Sequence, residues 1–283
     1  MSLSVIVYQV REHTRSRVIC EAMLEGMRRQ GQRVAHRWED EYSGVDADVA
    51  VFYGLEGKLS KVFADYSAAA KAVYIDLGYW ARKEPDDRWG GYHKLAVNDR
   101  HPTAYFQNVK HGPERAAVVG AKALPWKASG SHILLAGMGD KGAKAEGFAP
   151  EEWERDAINQ IRQYTKRAII YRPKPSWKGA RPIAGVGYAS TRDKDVGKFL
   201  RNCHAVVTHH SNVAVDGLVL GIPAFAWRGV AMPMSSQDLS EIETPVRLEG
   251  RQQWLNDIAH VQYNVEEMKR GVAWRYLLEE GLV

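Results

Sequence analysis

The sequence predicts an α/β protein of two Rossmann-like domains facing a central cleft. Three observations predict it. Apolar, strand-like runs alternate with helix-length amphipathic segments along nearly the whole chain. That rhythm runs twice, with a Gly- and Pro-containing joint, GAKALPWKASG, at 120–130. The 283 residues are 45% hydrophobic and 26% charged, a globular balance at a length that suits two domains.

Each element follows from its own residues. The run at 3–10 is apolar and strand-like. The first ten residues lack a basic segment and a small-residue cleavage site, so they read as strand rather than signal peptide. Residues 14–30 are helical, with Val18, Ala22 and Met27 opposite an arginine-rich face. A short strand at 33–38 follows, then DVAVFY at 48–53, a buried strand closed by Gly54. Residues 59–70 are a helix, and KAVYIDL at 71–77 is a strand stopped by Gly78, which implies a parallel sheet.

The second half repeats the pattern. HILLAG at 132–137 is a strand, followed by a polar loop, GDKGAKAEG. A helix at 151–165 has Pro150 just before it, and the strand RAIIY at 167–171 is broken by Pro173 and Pro175. Further elements are a helix at 193–202, the strand HAVVT at 204–208 and a helix at 211–220. Ser211 is the N-cap candidate of that last helix and Gly221 its stop. A strand at 224–227 and helices at 252–262 and 265–280 complete the chain.

Composition excludes several classes. No run reaches the ~18 apolar residues of a membrane span. Two cysteines, Cys20 and Cys203, make neither a disulfide framework nor a Cys-based zinc site, which fits a reducing cytoplasm. The formal charge is +5, but residues 166–201 alone carry +8 and the rest of the chain −3. The basic excess is therefore local, and it permits an anionic partner.

The strongest motif is THHSNVAVDGLVLGIPAF, from Thr208 to Phe225. A buried strand runs into His209, His210, Ser211 and Asn212, and a helix then begins. The unpaired N–H groups and positive dipole end of a helix start bind phosphate. Ser211 and Asn212 can add hydrogen bonds, and Asp216, one turn further on, can accept from sugar hydroxyls. Tyr171-Arg172-Pro173-Lys174-Pro175 ends another strand of the same half, where Arg172 and Lys174 could stabilise a leaving diphosphate. The loop Gly137-Met138-Gly139-Asp140-Lys141-Gly142 is a Gly-rich phosphate-approach loop in which Gly139 permits close approach and Lys141 adds a cation.

These residues resemble the C-terminal half of GT-B glycosyltransferases. In that family the Ser/Asn turn touches the donor diphosphate and the acidic residue holds the ribose. The resemblance implies those roles for His210, Ser211, Asn212 and Asp216, although the family usually has Glu where this chain has Asp216. The YRPKP turn is similar to one in capsule-type members. The fold so implied has an acceptor-side domain over 1–125, a nucleotide-sugar domain over 126–262 and a C-terminal helix at 263–283 crossing back to the first.

Glycosyl transfer with inversion needs a base for the acceptor hydroxyl. Asp76, at the end of KAVYIDL, is the first choice, and Asp99 and His101 are its rivals. Tyr79, Trp80 and Trp89 could stack on a sugar or base, Arg100 could hold a phosphate, and His93 stands in the same polar stretch. No H-E-x-x-H, G-x-S-x-G or paired-Cys pattern is present. His209 and His210 are adjacent, so on a strand they would face opposite sides, against joint metal binding. No metal and no permanent cofactor is expected, and a nucleotide-sugar, such as a UDP-sugar, is the co-substrate.

The acceptor is open. The compact chain and its basic window are similar to phage glycosyltransferases that modify hydroxymethylated bases in double-stranded DNA, which implies base flipping, a monomer and the host cytoplasm. A capsule or surface polysaccharide transferase is the alternative. A non-catalytic nucleic-acid binder is the alternative from another class.

Overall fold

A computed structural model describes residues 3–82 and 89–283. The strands, in chain order, are β1 (Ser4–Gln9), β2 (Arg33–Trp38), β3 (Val49–Tyr53), β4 (Lys71–Leu77), β5 (His93–Val97), β6 (His132–Ala136), β7 (Ala168–Arg172), β8 (Gly187–Tyr188), β9 (Cys203–Thr208), β10 (Ala224–Ala226) and β11 (Gln262–Tyr263). The helices are α1 (Thr14–Arg29), α2 (Leu59–Ala69), α3 (Thr103–Phe106), α4 (Glu114–Val118), α5 (Asp140–Ala145), α6 (Glu152–Tyr164), α7 (Gly197–Leu200), α8 (Val213–Val219), α9 (Arg251–Ala259), α10 (Val265–Lys269) and α11 (Val272–Glu279). None of them is long and apolar enough to cross a membrane among the described residues.

The chain divides into two compact units, Met1–Asn108 with Asp257–Val283, and Val109–Asn256. The sequence reading placed the first boundary at 125. The segment before Pro125 instead binds to the second unit: Leu124 N donates to Val219 O at 2.9 Å and Ala123 N to Gln252 Oε1 at 2.9 Å. The second boundary, read at 262, falls within α9.

The sheet of the first unit has the order β11-β5-β4-β3-β1-β2. It is parallel from β2 to β4, as the β-α-β rhythm predicts, with α1 joining β1 to β2 and α2 joining β3 to β4. β5 and β11 are antiparallel additions that the sequence reading missed. VAVFY of β3 is buried at all five positions, and Ile6, Tyr8, Phe52, Val62 and Tyr66 form the core on one face. The 265–280 helix is two helices, split at Gly271, whose φ of +77° breaks the helix. α10 starts in a capping box: Asn264 Oδ1 accepts from Glu267 N, and Glu267 Oε2 from Asn264 N. It packs so closely on α1 that a Cβ at Gly26 would overlap the Met268 carbonyl.

The sheet of the second unit is parallel throughout, in the order β10-β9-β6-β7-β8. Ile133, Leu135, Ile161, Ile169, Val207 and Phe225 are buried in its core. The expected helix at 193–202 shrinks to α7. Asp195 Oδ1 accepts from Gly197 N at 2.8 Å, and Lys198 pairs with Asp193, so side chains hold the start of that segment in turns. The loop after β6 holds a short helix, α5. Cys20 and Cys203 are each buried and free.

Candidate functional site

In a parallel sheet all strands point one way, so the loops leaving their carboxyl ends gather on one edge. In the second unit Ala136 pairs with both Arg172 and Thr208, so β6, β7 and β9 end side by side. The three motifs therefore meet. Gly137 N donates to Arg172 O at 2.9 Å. A Cβ at Gly139 would stand 3.2 Å from Lys174 Cδ, so the lysine stem crosses that glycine. A Cβ at Gly142 would stand 3.5 Å from His210 Nε2. Arg172 is buried, its Nη2 donating to Asp193 O at 3.3 Å, while Lys141 and Lys174 are exposed.

The turn after β9 is built by side chains. Thr208 Oγ1 donates to Ala136 O at 2.7 Å and accepts from Ser211 N at 3.1 Å. Ser211 Oγ accepts from Val213 N at 3.3 Å, but the capping position is Asn212, and α8 begins two residues later than expected. Asp216 lies half-buried in its first turn.

β9 ends at Thr208, so His209 and His210 are past the strand and its alternation does not apply. Their Nδ1 atoms lie 3.0 Å apart, contrary to the opposite-face expectation. His209 is buried edge-on between Phe148 and Trp153, and that burial lowers its pKa. Glu146, which no sequence motif singled out, closes the group with Arg228 at 3.0 Å.

The first unit gathers a second set. Asp76 ends β4; its Oδ2 accepts from Tyr74 Oη and its Oδ1 from Leu77 N, each at 2.8 Å. Directly across on β5 is Lys94, a residue the sequence reading passed over. Its Nζ donates to Arg100 O at 2.7 Å, lies 3.2 Å from His101 Nδ1, and sits over the rings of Tyr74 and Tyr79. Burial pulls Lys94 down to about 8, against the carboxylates of Asp76 and Asp99 that hold it up. Asp99 and Arg100 are exposed, and Asp99 Oδ1 accepts from the Arg100 and His101 backbones. Trp80 is half-buried, and so is Trp89, which lies under Arg15.

Two residues expected to face an acceptor do not. The Tyr79 ring is 0% exposed and stacks on His101, and His93 is 2% exposed against Tyr53. Both belong to the packing beneath the site. Burial lowers His93 to about 4, so it stays neutral where an unfolded imidazole charges. A depressed folded pKa means stability present above ~6.5 and lost as pH falls toward 4, at about 1.4 kcal/mol per pH unit. Stability to urea is expected to fall across that window, and His93→Gln to remove this residue's share of the slope.

No family model and no curated protein sequence matches the chain. Solved structures do match it in shape, two of them as follows. The Thermosulfurimonas dismutans KpsC β-Kdo 2,4 transferase aligns at TM-score 0.52 and 11% identity, over 88% of this chain and 89% of its own. The β-Kdo 2,7 transferase of the same organism's KpsC aligns at TM-score 0.52 and 10% identity, over 96% and 99%. At such identities the likeness establishes the fold: this chain has the two Rossmann-like domains of the GT-B fold.

Proposed function

We propose that this protein is a nucleotide-sugar-dependent glycosyltransferase. The observation that carries the reading is the meeting of Gly139, Lys141, Arg172, Lys174, His210, Ser211 and Asn212 at the carboxyl edge of one parallel sheet. In this reading those groups hold the donor diphosphate, and Asp216 takes the ribose. Asp76 removes the proton from the acceptor hydroxyl, the oxygen attacks the anomeric carbon, and the nucleoside diphosphate leaves. Fixed cations stabilise the charge that builds on it. Lys94 stands directly across from Asp76 in the β4–β5 pair.

For the acceptor we propose a glycan hydroxyl, since two proteins of like shape are Kdo transferases. A hydroxymethylated DNA base is the second reading, favoured by exposed Lys178, Arg181, Arg192, Lys194 and Arg201.

The test is a thermal-shift series with nucleoside diphosphates and sugar nucleotides. A donor site gives a shift that grows with ligand, about 2.7 kcal/mol at a hundred times Kd. No shift with any of them, alongside salt-sensitive DNA binding, would replace this reading with the non-catalytic one. Transfer of labelled sugar to surface-glycan fragments, plain DNA and hydroxymethylated DNA separates the two acceptors.

A further inference from the structure

We infer that Glu146, His209 and His210 bind one divalent transition-metal ion, with at least one coordination position left to water or an anion. One ligand atom from each lies within 4.8 Å of the other two. The two imidazole nitrogens are already at metal-sharing distance. Nitrogens each about 2.0–2.1 Å from one zinc ion stand about 2.8–3.4 Å apart, between a right-angled and a tetrahedral arrangement. The two Nδ1 atoms are 3.0 Å apart.

The surroundings hold this arrangement in place. His209 is wedged edge-on between Phe148, at 5.7 Å, and Trp153, at 5.6 Å. Its carbonyl accepts from Trp227 N and Arg228 N, which fixes the backbone. Gly142 leaves room beside His210. Glu146 Oε2 is engaged by Arg228 Nε at 3.0 Å, so the carboxylate has its other oxygen for an ion and an outer partner that orients it.

Two imidazoles and one carboxylate, with a position open, is a ligand set that takes zinc and its neighbours rather than magnesium or calcium. In the ion-free chain the same 3.0 Å spacing suits one Nδ1–H···Nδ1 hydrogen bond, and on ion entry that proton moves to Nε2 of its own ring, so both Nδ1 lone pairs face the ion. The ion would share His210 with the proposed donor site, and metal binding is still a property that can be measured on its own. It is measured without any nucleotide, while the donor thermal shift is measured in chelator, so each reading fails independently.

The test uses the full chain, free of any histidine tag and stripped with chelator. It is titrated with Zn²⁺ by calorimetry and with Co²⁺ by visible absorption. One ion per chain is expected. His210→Ala should weaken binding by more than the ~10–100-fold that loss of an outer-shell partner costs, and Glu146→Gln should do so independently. His132→Ala, at the far end of β6, should leave binding unchanged. Far-UV circular dichroism checks that the variants fold. Absence of saturable binding by the parent chain overturns the inference, as does binding that His210→Ala and Glu146→Gln, both folded, leave unchanged.

Discussion

Asp76→Asn is expected to cut transfer about 10²–10⁴-fold, the usual range for loss of a positioned base, while leaving the thermal shift with sugar nucleotide intact. The substitution keeps the shape of the side chain. An amide oxygen can still accept from Leu77 N or Tyr74 Oη, so the end of β4 should hold its conformation. It removes the basic oxygen and the charge facing Lys94. Single-turnover rates at saturating donor isolate the chemical step from binding. Normal turnover by the variant moves the base to Asp99 or His101, whose backbone and side chain lie on the same loop.

Lys174→Ala is expected to lower kcat about 10²–10³-fold, the cost of removing one fixed charge-stabilising group at a reacting centre. Its ammonium is exposed at the end of the strand β7 loop and its stem crosses Gly139, so the fold does not depend on it. The melting temperature without ligand should therefore stay within the small range of surface substitutions. Fluorescence titration with a nucleoside diphosphate gives the matching loss of affinity. A variant with unaltered kcat and affinity would reduce YRPKP to a solvated turn.

The two α/β units were legible because parallel strands buried on both faces read as unbroken apolar runs, as in VAVFY and HAVVT. The adjacency of the three Gly-rich and basic loops followed from the same topology. β5 was not legible. Its HKLAV places a histidine and a lysine inside, and such residues are rarely buried without partners that only the folded chain supplies. Lys94 finds those partners in Arg100 O and His101, both on the following turn. The pairing of His209 with His210 was misjudged because strand alternation was carried past the last strand residue. Glu146 had no signal: a lone acid after a short helix is common, and only the fold sets it beside the two rings.

The return of α10 onto α1 has a consequence for how the chain is made. The α1 surface around Gly26 leaves the ribosome about 240 residues ahead of Met268, which covers it. At ~5–20 residues per second that apolar face waits on the order of ten seconds or more for its partner. The second unit, contiguous from Val109 to Asn256, has all of its own strands before then. Synthesis therefore runs against the order of the chain: the second unit can finish first, and the first stays open until α10 and α11 arrive.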